Sequence, residues 1–94
     1  AAAAGMVEKI LNWDEEAAVS TRMLKIPPGI ETSEVIFHDF WEEVWIIEGS
    51  IYDITLQQTF TAGMYACRPP GMTHGPWRSP EGCRTVEFRR FETT

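Results

Sequence analysis

The chain has 94 residues, enough for one domain with one core and little apolar surface to spare. Its formal net charge of −6 argues against a nucleic-acid partner, which needs clustered Lys and Arg, and its 12% aromatic content argues against a disordered tail. No apolar run approaches the roughly 20 residues of a membrane helix, and the N-terminus has neither the basic head nor the apolar centre of a secretion signal. These features lead us to expect a cytoplasmic protein with no membrane or nucleic-acid partner, whose Cys67 and Cys83 are separate, reduced thiols.

In chain order, the poly-Ala stretch at residues 1–5 reads as added sequence ahead of a start at Met6, and residues 6–94 as the single domain. "VEKILNWDEEAA" mixes helical composition with a polar break at Asn12 and Asp14, and is expected to be an edge strand or a short turn. "STRMLKI" alternates and should end at Pro27-Pro28-Gly29. "EVIFHDF" and "EEVWIIEG" are β-branched and aromatic, with an interruption expected near Phe40–Trp41. Gly49-Ser50 is expected to turn the chain into "IYDITLQQTF", an alternating strand. "TAGMYACRPPG" reads as a short strand between a glycine turn and a Pro-Pro-Gly stop. "CRTVEFRRF" reads as the last strand, and its arginines, like Arg78, as a solvated face. Six or seven short strands with frequent turns and no convincing helix predict an all-β sandwich or barrel.

Two motifs then carry a resemblance. "GMYACRPPGMTH" places a glycine, five residues, Pro-x-Gly, two residues and a histidine in order, at Gly63, Pro69, Gly71 and His74. Upstream, Gly29, His38, Glu42 and Gly49 follow a second ordered spacing. Together they resemble the cupin superfamily, and "EEVWIIEGSIYD", "AGMYACRPPGMTHGPW" and "EGC" are similar to the cupin domains of ChrR-type anti-sigma factors. The resemblance covers about residues 7 to 91 and implies a cupin-type jelly-roll, or double-stranded β-helix, barrel. It implies a divalent metal (Fe, Zn, Ni or Mn) on His38, Glu42 and His74. Two departures stand out. Ile36 occupies the first histidine position, leaving three protein ligands, and Arg78 replaces an asparagine that often follows the second motif.

Physically, residues two apart on a strand share a face, so Ile36, His38, Phe40 and Glu42 should point one way. Glu43 becomes the ligand instead if a bulge shifts the register. Two imidazoles and a carboxylate on one side of a metal leave positions open for substrate and O₂. Phe40, Tyr52, Arg68 and Trp77 are the expected substrate-binding residues at the barrel mouth. Core packing for the aromatics and a surface ion pair for Arg68 are the plainer reading. The functional expectation is metal-dependent dioxygenase- or isomerase-like chemistry on a small organic molecule such as an organic acid or diketone. The alternatives are a non-catalytic ligand- or metal-sensing module, or a structural cupin that has lost its metal. Trp41, Trp45 and Ile47, on the face opposite His38, predict a homodimer.

Overall fold

The computed structural model describes residues 5–33, 35–37 and 39–91, with Ile36 and His74 described by backbone alone. His38, expected to be a ligand, lies outside the described residues. Ten strands form β1 Val7–Asp14, β2 Val19–Ile26, β3 Ile30–Glu31, β4 Ile36–Phe37, β5 Phe40–Asp53, β6 Gln58–Thr61, β7 Tyr65–Arg68, β8 Thr73–His74, β9 Trp77–Ser79 and β10 Cys83–Phe91. Among the described residues there is no helix, and none long and apolar enough to cross a membrane. The all-β jelly-roll expectation holds, and residues 7–14 resolve as an edge strand.

The main sheet runs β1-β2-β10-β5-β9-β3, with β6 and β7 also paired to β5, and β4 pairs with β8 in a separate ribbon. Every ladder in the sheet is antiparallel. The strand β5 holds the fold together. Its first half pairs with β10 and β7, and its second half with β6 and β9.

That continuity corrects the expected turn at Gly49-Ser50. β5 runs through both residues to Asp53, and the chain turns only after it, before Gln58. The register against β10 slips there: Thr85 faces Ile46 while Arg84 faces Glu48, which leaves Ile47 as an extra, bulged residue. Gly49 follows at φ +80°, a left-handed conformation that only glycine adopts cheaply. A bulge strengthens local twist, and here it carries one strand from one part of the curled sheet to the other.

Alternation on β5 places Glu42, Val44 and Ile46 inside and Trp45 and Ile47 outside. Leu24, Ile26, Val44, Ile46 and Cys83 form the buried core, with Met6, Ile30, Ile51, Phe60 and Trp77 packed around it. Polar residues are buried too, and several are paired. Ser79 Oγ donates to the Ser50 carbonyl at 2.6 Å, and Thr85 Oγ1 donates to Glu87 Oε2 at 2.9 Å.

Candidate functional site

The curled sheet encloses a cavity of about 420 Å³. Leu24, Ile26, Val44, Ile46, Ile51 and Phe60 make its apolar wall. Its polar end is built by Arg22, Glu42, Arg68, Glu87 and Arg89. Those charges come from neighbouring strands whose registers align them. Arg22 on β2 faces Glu87 on β10, Arg89 on β10 faces Glu42 on β5, and Glu42 faces Arg68 on β7.

The pairs are close. Arg22 Nε donates to Glu87 Oε1 at 2.8 Å, and its Nη1 donates to Glu8 Oε2 at 2.5 Å. Arg89 Nε donates to Glu42 Oε2 at 2.9 Å, and Arg68 Nη1 donates to Glu42 Oε1 at 3.1 Å. Arg89 Nη2 also lies 3.7 Å from Glu87 Oε1. Burial pushes the Glu42 carboxyl up, but the Arg89 and Arg68 guanidiniums outweigh it and hold the group below its ordinary value. Burial pushes Arg22 down, but Glu87 and Glu8 outweigh it and raise the guanidinium.

The expected site residues are placed as follows. Glu42 is buried and lines the cavity, whereas Glu43 lies on the opposite face, where Tyr65 donates a hydrogen bond to it. Phe40, Arg68 and Trp77 also line the cavity. The Trp77 amide donates to Thr32 Oγ1 at 2.9 Å, and the Thr32 amide donates to the Trp77 carbonyl at 2.8 Å, which fixes β9 beside the wall. Tyr52 is not among the residues lining this cavity. Uninterrupted alternation would set Tyr52 on the face of Glu42. The bulged residue flips the parity, so Ile51 and Asp53 face the cavity and the Arg78 guanidinium stacks over Tyr52, 4.7 Å from the ring centre. Of the two histidines, His38 lies outside the described residues, while His74 places its backbone directly opposite Ile36 in the β4–β8 ribbon. Among the described residues no three His, Cys, Asp or Glu side chains gather into a metal-holding set.

Glu42 already has two cationic partners. Both of its oxygens already accept from guanidiniums. A dication on either oxygen would meet a cation at close range, a repulsion on the order of several kcal/mol per arginine at an effective dielectric of about 20. A metal there would share the carboxylate with Arg68 and Arg89, since each oxygen has a second lone pair, against that repulsion.

Of the arginines of β10, Arg84 and Arg90 are exposed, as expected, and Arg89 is the one that sequence reasoning misplaced. Arg89 is not part of a solvated face: it lines the cavity, with its guanidinium 5.2 Å from the Phe40 ring centre. The signal was present in "CRTVEFRRF", where Glu87 and Arg89 share the parity of the buried Cys83 and Thr85. Which parity faces inward depends on β2 and β5, not on β10 alone.

Known proteins agree with this architecture. Residues 1–90 match the family model of the ChrR cupin-like domain. No protein of curated function matches the sequence. An RmlC-like cupin from Shewanella frigidimarina superposes with a TM-score of 0.77 at 20% identity, over 90% of this chain and 75% of that one. An acetylacetone dioxygenase from Acinetobacter johnsonii superposes at 0.76 with 18% identity, over 89% of this chain and 58% of that one. The cupin domain of an XRE-family transcriptional regulator from Enterobacter cloacae superposes at 0.72 with 18% identity, over 94% of this chain and 98% of that one. The chain thus spans little more than half the length of the dioxygenase. These identities speak for the fold. With its motifs, its curled antiparallel sheet and a family match over nearly its whole length, the chain belongs to the ChrR cupin-like domain family of the cupins.

Proposed function

We propose that this domain binds a small organic molecule inside its barrel. The observation that carries the reading is the cavity, whose volume lies within the roughly 300–1,000 Å³ of small-molecule sites and whose apolar wall ends in a compact set of oriented charges. Phe40 and Trp77 supply aromatic surface and Arg68 a planar donor. Thermal unfolding across a panel of small organic acids, diketones and amides tests it. A ligand should raise the midpoint, and Ile51→Trp, which fills the cavity, should suppress that rise. A panel in which the parent and Ile51→Trp respond alike would remove the reading.

A second reading keeps a divalent metal on His38, Glu42 and His74, with oxygenase- or isomerase-like chemistry. The backbone pairing of His74 with Ile36 favours it, because it brings the second-motif histidine beside the first-motif position. When bound, such a metal supplies Lewis-acid or O₂ chemistry. This chain's own residues would contribute an apolar, water-poor wall and the Arg68 guanidinium. On this reading Glu42 serves the metal and its guanidiniums through different lone pairs. Elemental analysis of protein purified without chelators, repeated on His74→Ala, decides it. Stoichiometric metal that disappears in His74→Ala supports the metal reading, and metal that persists in His74→Ala counts against it.

A further inference from the structure

Six side chains of alternating charge cross five neighbouring strands. Glu8 on β1 meets Arg22 on β2, and Arg22 meets Glu87 on β10. Glu87 and Arg89 follow two residues apart on the same strand face, Arg89 meets Glu42 on β5, and Glu42 meets Arg68 on β7. Each inner member has an opposite charge on both sides. The two ends differ. Glu8 closes the row on an exposed edge strand, where water solvates it. Arg68 closes it at the cavity, with 20% of its side chain exposed, and among the described residues Glu42 is its one ionic partner, through Nη1.

We infer that Arg68 anchors the carboxylate of a monoanionic organic acid, whose single negative charge completes the alternating row, and that Glu42 sets this charge preference by sharing its carboxylate between Arg68 and Arg89. The inference rests on the cavity being the ligand site and names the ligand's class. A guanidinium presents its N–H groups as a planar fork that matches a carboxylate, and one edge of the Arg68 fork is used by Glu42. A neutral ligand offers the other edge of that fork at most an uncharged acceptor, a weaker partner than a carboxylate. A dianion would bring its second charge against Glu42 and Glu87, which already flank Arg89. On this inference Glu42 is a specificity-determining residue. The apolar wall requires the rest of the acid to be hydrocarbon.

The experiment is calorimetric titration of the whole, metal-stripped chain at neutral pH with hexanoate and benzoate, with hexanamide and benzamide as their neutral counterparts, and with adipate as a dianion. The acids should bind about tenfold or more tightly than the amides, the worth of a charge-assisted pair. In Arg68→Gln the preference should shrink to about threefold or less, while Arg68→Lys, which keeps charge but loses the fork, should fall between. In Glu42→Gln, with Arg89 released, adipate should gain relative to hexanoate. Acids and amides binding equally to the parent protein would overturn the inference and leave the cavity reading standing. Binding by none of the probes would overturn both. Acid binding that appears only after Zn²⁺ is added, and disappears in Glu42→Gln, would overturn the inference in favour of the metal reading.

Discussion

Glu42 illustrates how much one side chain depends on its partners. It is buried with both oxygens held, so Glu42→Ala removes the carboxylate between Arg68 and Arg89 and leaves Arg89 with the more distant Glu87. Breaking a buried pair costs about 3–5 kcal/mol, and the partial exposure of both guanidiniums puts the expected loss below that range, about 2–3 kcal/mol in urea unfolding. A loss under about 0.5 kcal/mol would mean the pairs contribute little. The same groups set the acid limit. Glu42 and Glu8 have folded-state pKa values lowered from 4.5, so their stabilisation is full above that value and is lost as pH falls through the folded values. The urea midpoint should therefore drop below pH 4.5, and Glu42→Gln should flatten the drop. Acid limbs of equal steepness would show that Glu42 is not among the groups responsible. Burial, with help from Glu87, pushes the Cys83 thiol up to about 11, whereas Cys67 is exposed. Titration of the native chain with a thiol reagent should accordingly show one fast thiol, removed by Cys67→Ser.

At the scale of elements, β5 decides where every site residue goes. Its bulge at Ile47 and the left-handed Gly49 let one strand pair on both sides of the bend. The fit there is tight: a Cβ on Gly49 would lie 2.0 Å from the Gly82 carbonyl oxygen, itself the acceptor for the Ser50 amide. Gly49→Ala combines that clash with a positive φ and should cost more than about 2–3 kcal/mol, seen as a large fall in the unfolding midpoint. Gly63→Ala makes a useful contrast. Gly63 also has positive φ, but nothing lies within 4 Å of its would-be Cβ, so the expected loss is about 1 kcal/mol. Equal losses at the two positions would show that close packing of β5 against Gly82 is unimportant.

For the whole molecule, the outer face of β5 and β7 is the surface to watch. Trp45 and Ile47 are 40% and 52% exposed, and Tyr65 packs beside Trp45 with ring centres 4.8 Å apart. Trp41 is half-covered, with the Arg90 guanidinium 5.5 Å from its ring centre. An apolar patch of this kind suits a two-fold contact between copies, so a homodimer is the expected state at micromolar concentration. Sedimentation should give twice the chain mass, and Trp45→Glu with Ile47→Glu should return it to one chain. The edge strand β1 exposes Val7, Ile10, Leu11 and Trp13 as a second apolar surface. Dissociation by Trp13→Ser instead would move the contact to that edge.

Strand content and the face shared by Phe40 and Glu42 were legible in the residues, because period-two alternation is a local property, and the barrel class was legible in the two spaced motifs. The place of Tyr52 was not. One bulged residue reverses the parity of everything after it, and that bulge exists only through pairing with β10. Nor was the alternating row of charges. Glu8, Arg22, Glu42, Arg68, Glu87 and Arg89 are scattered over some eighty positions, and each alone reads as an ordinary polar residue of a strand. Only the antiparallel registers of five strands bring them onto one face, where burial of the inner members makes their pairing obligatory.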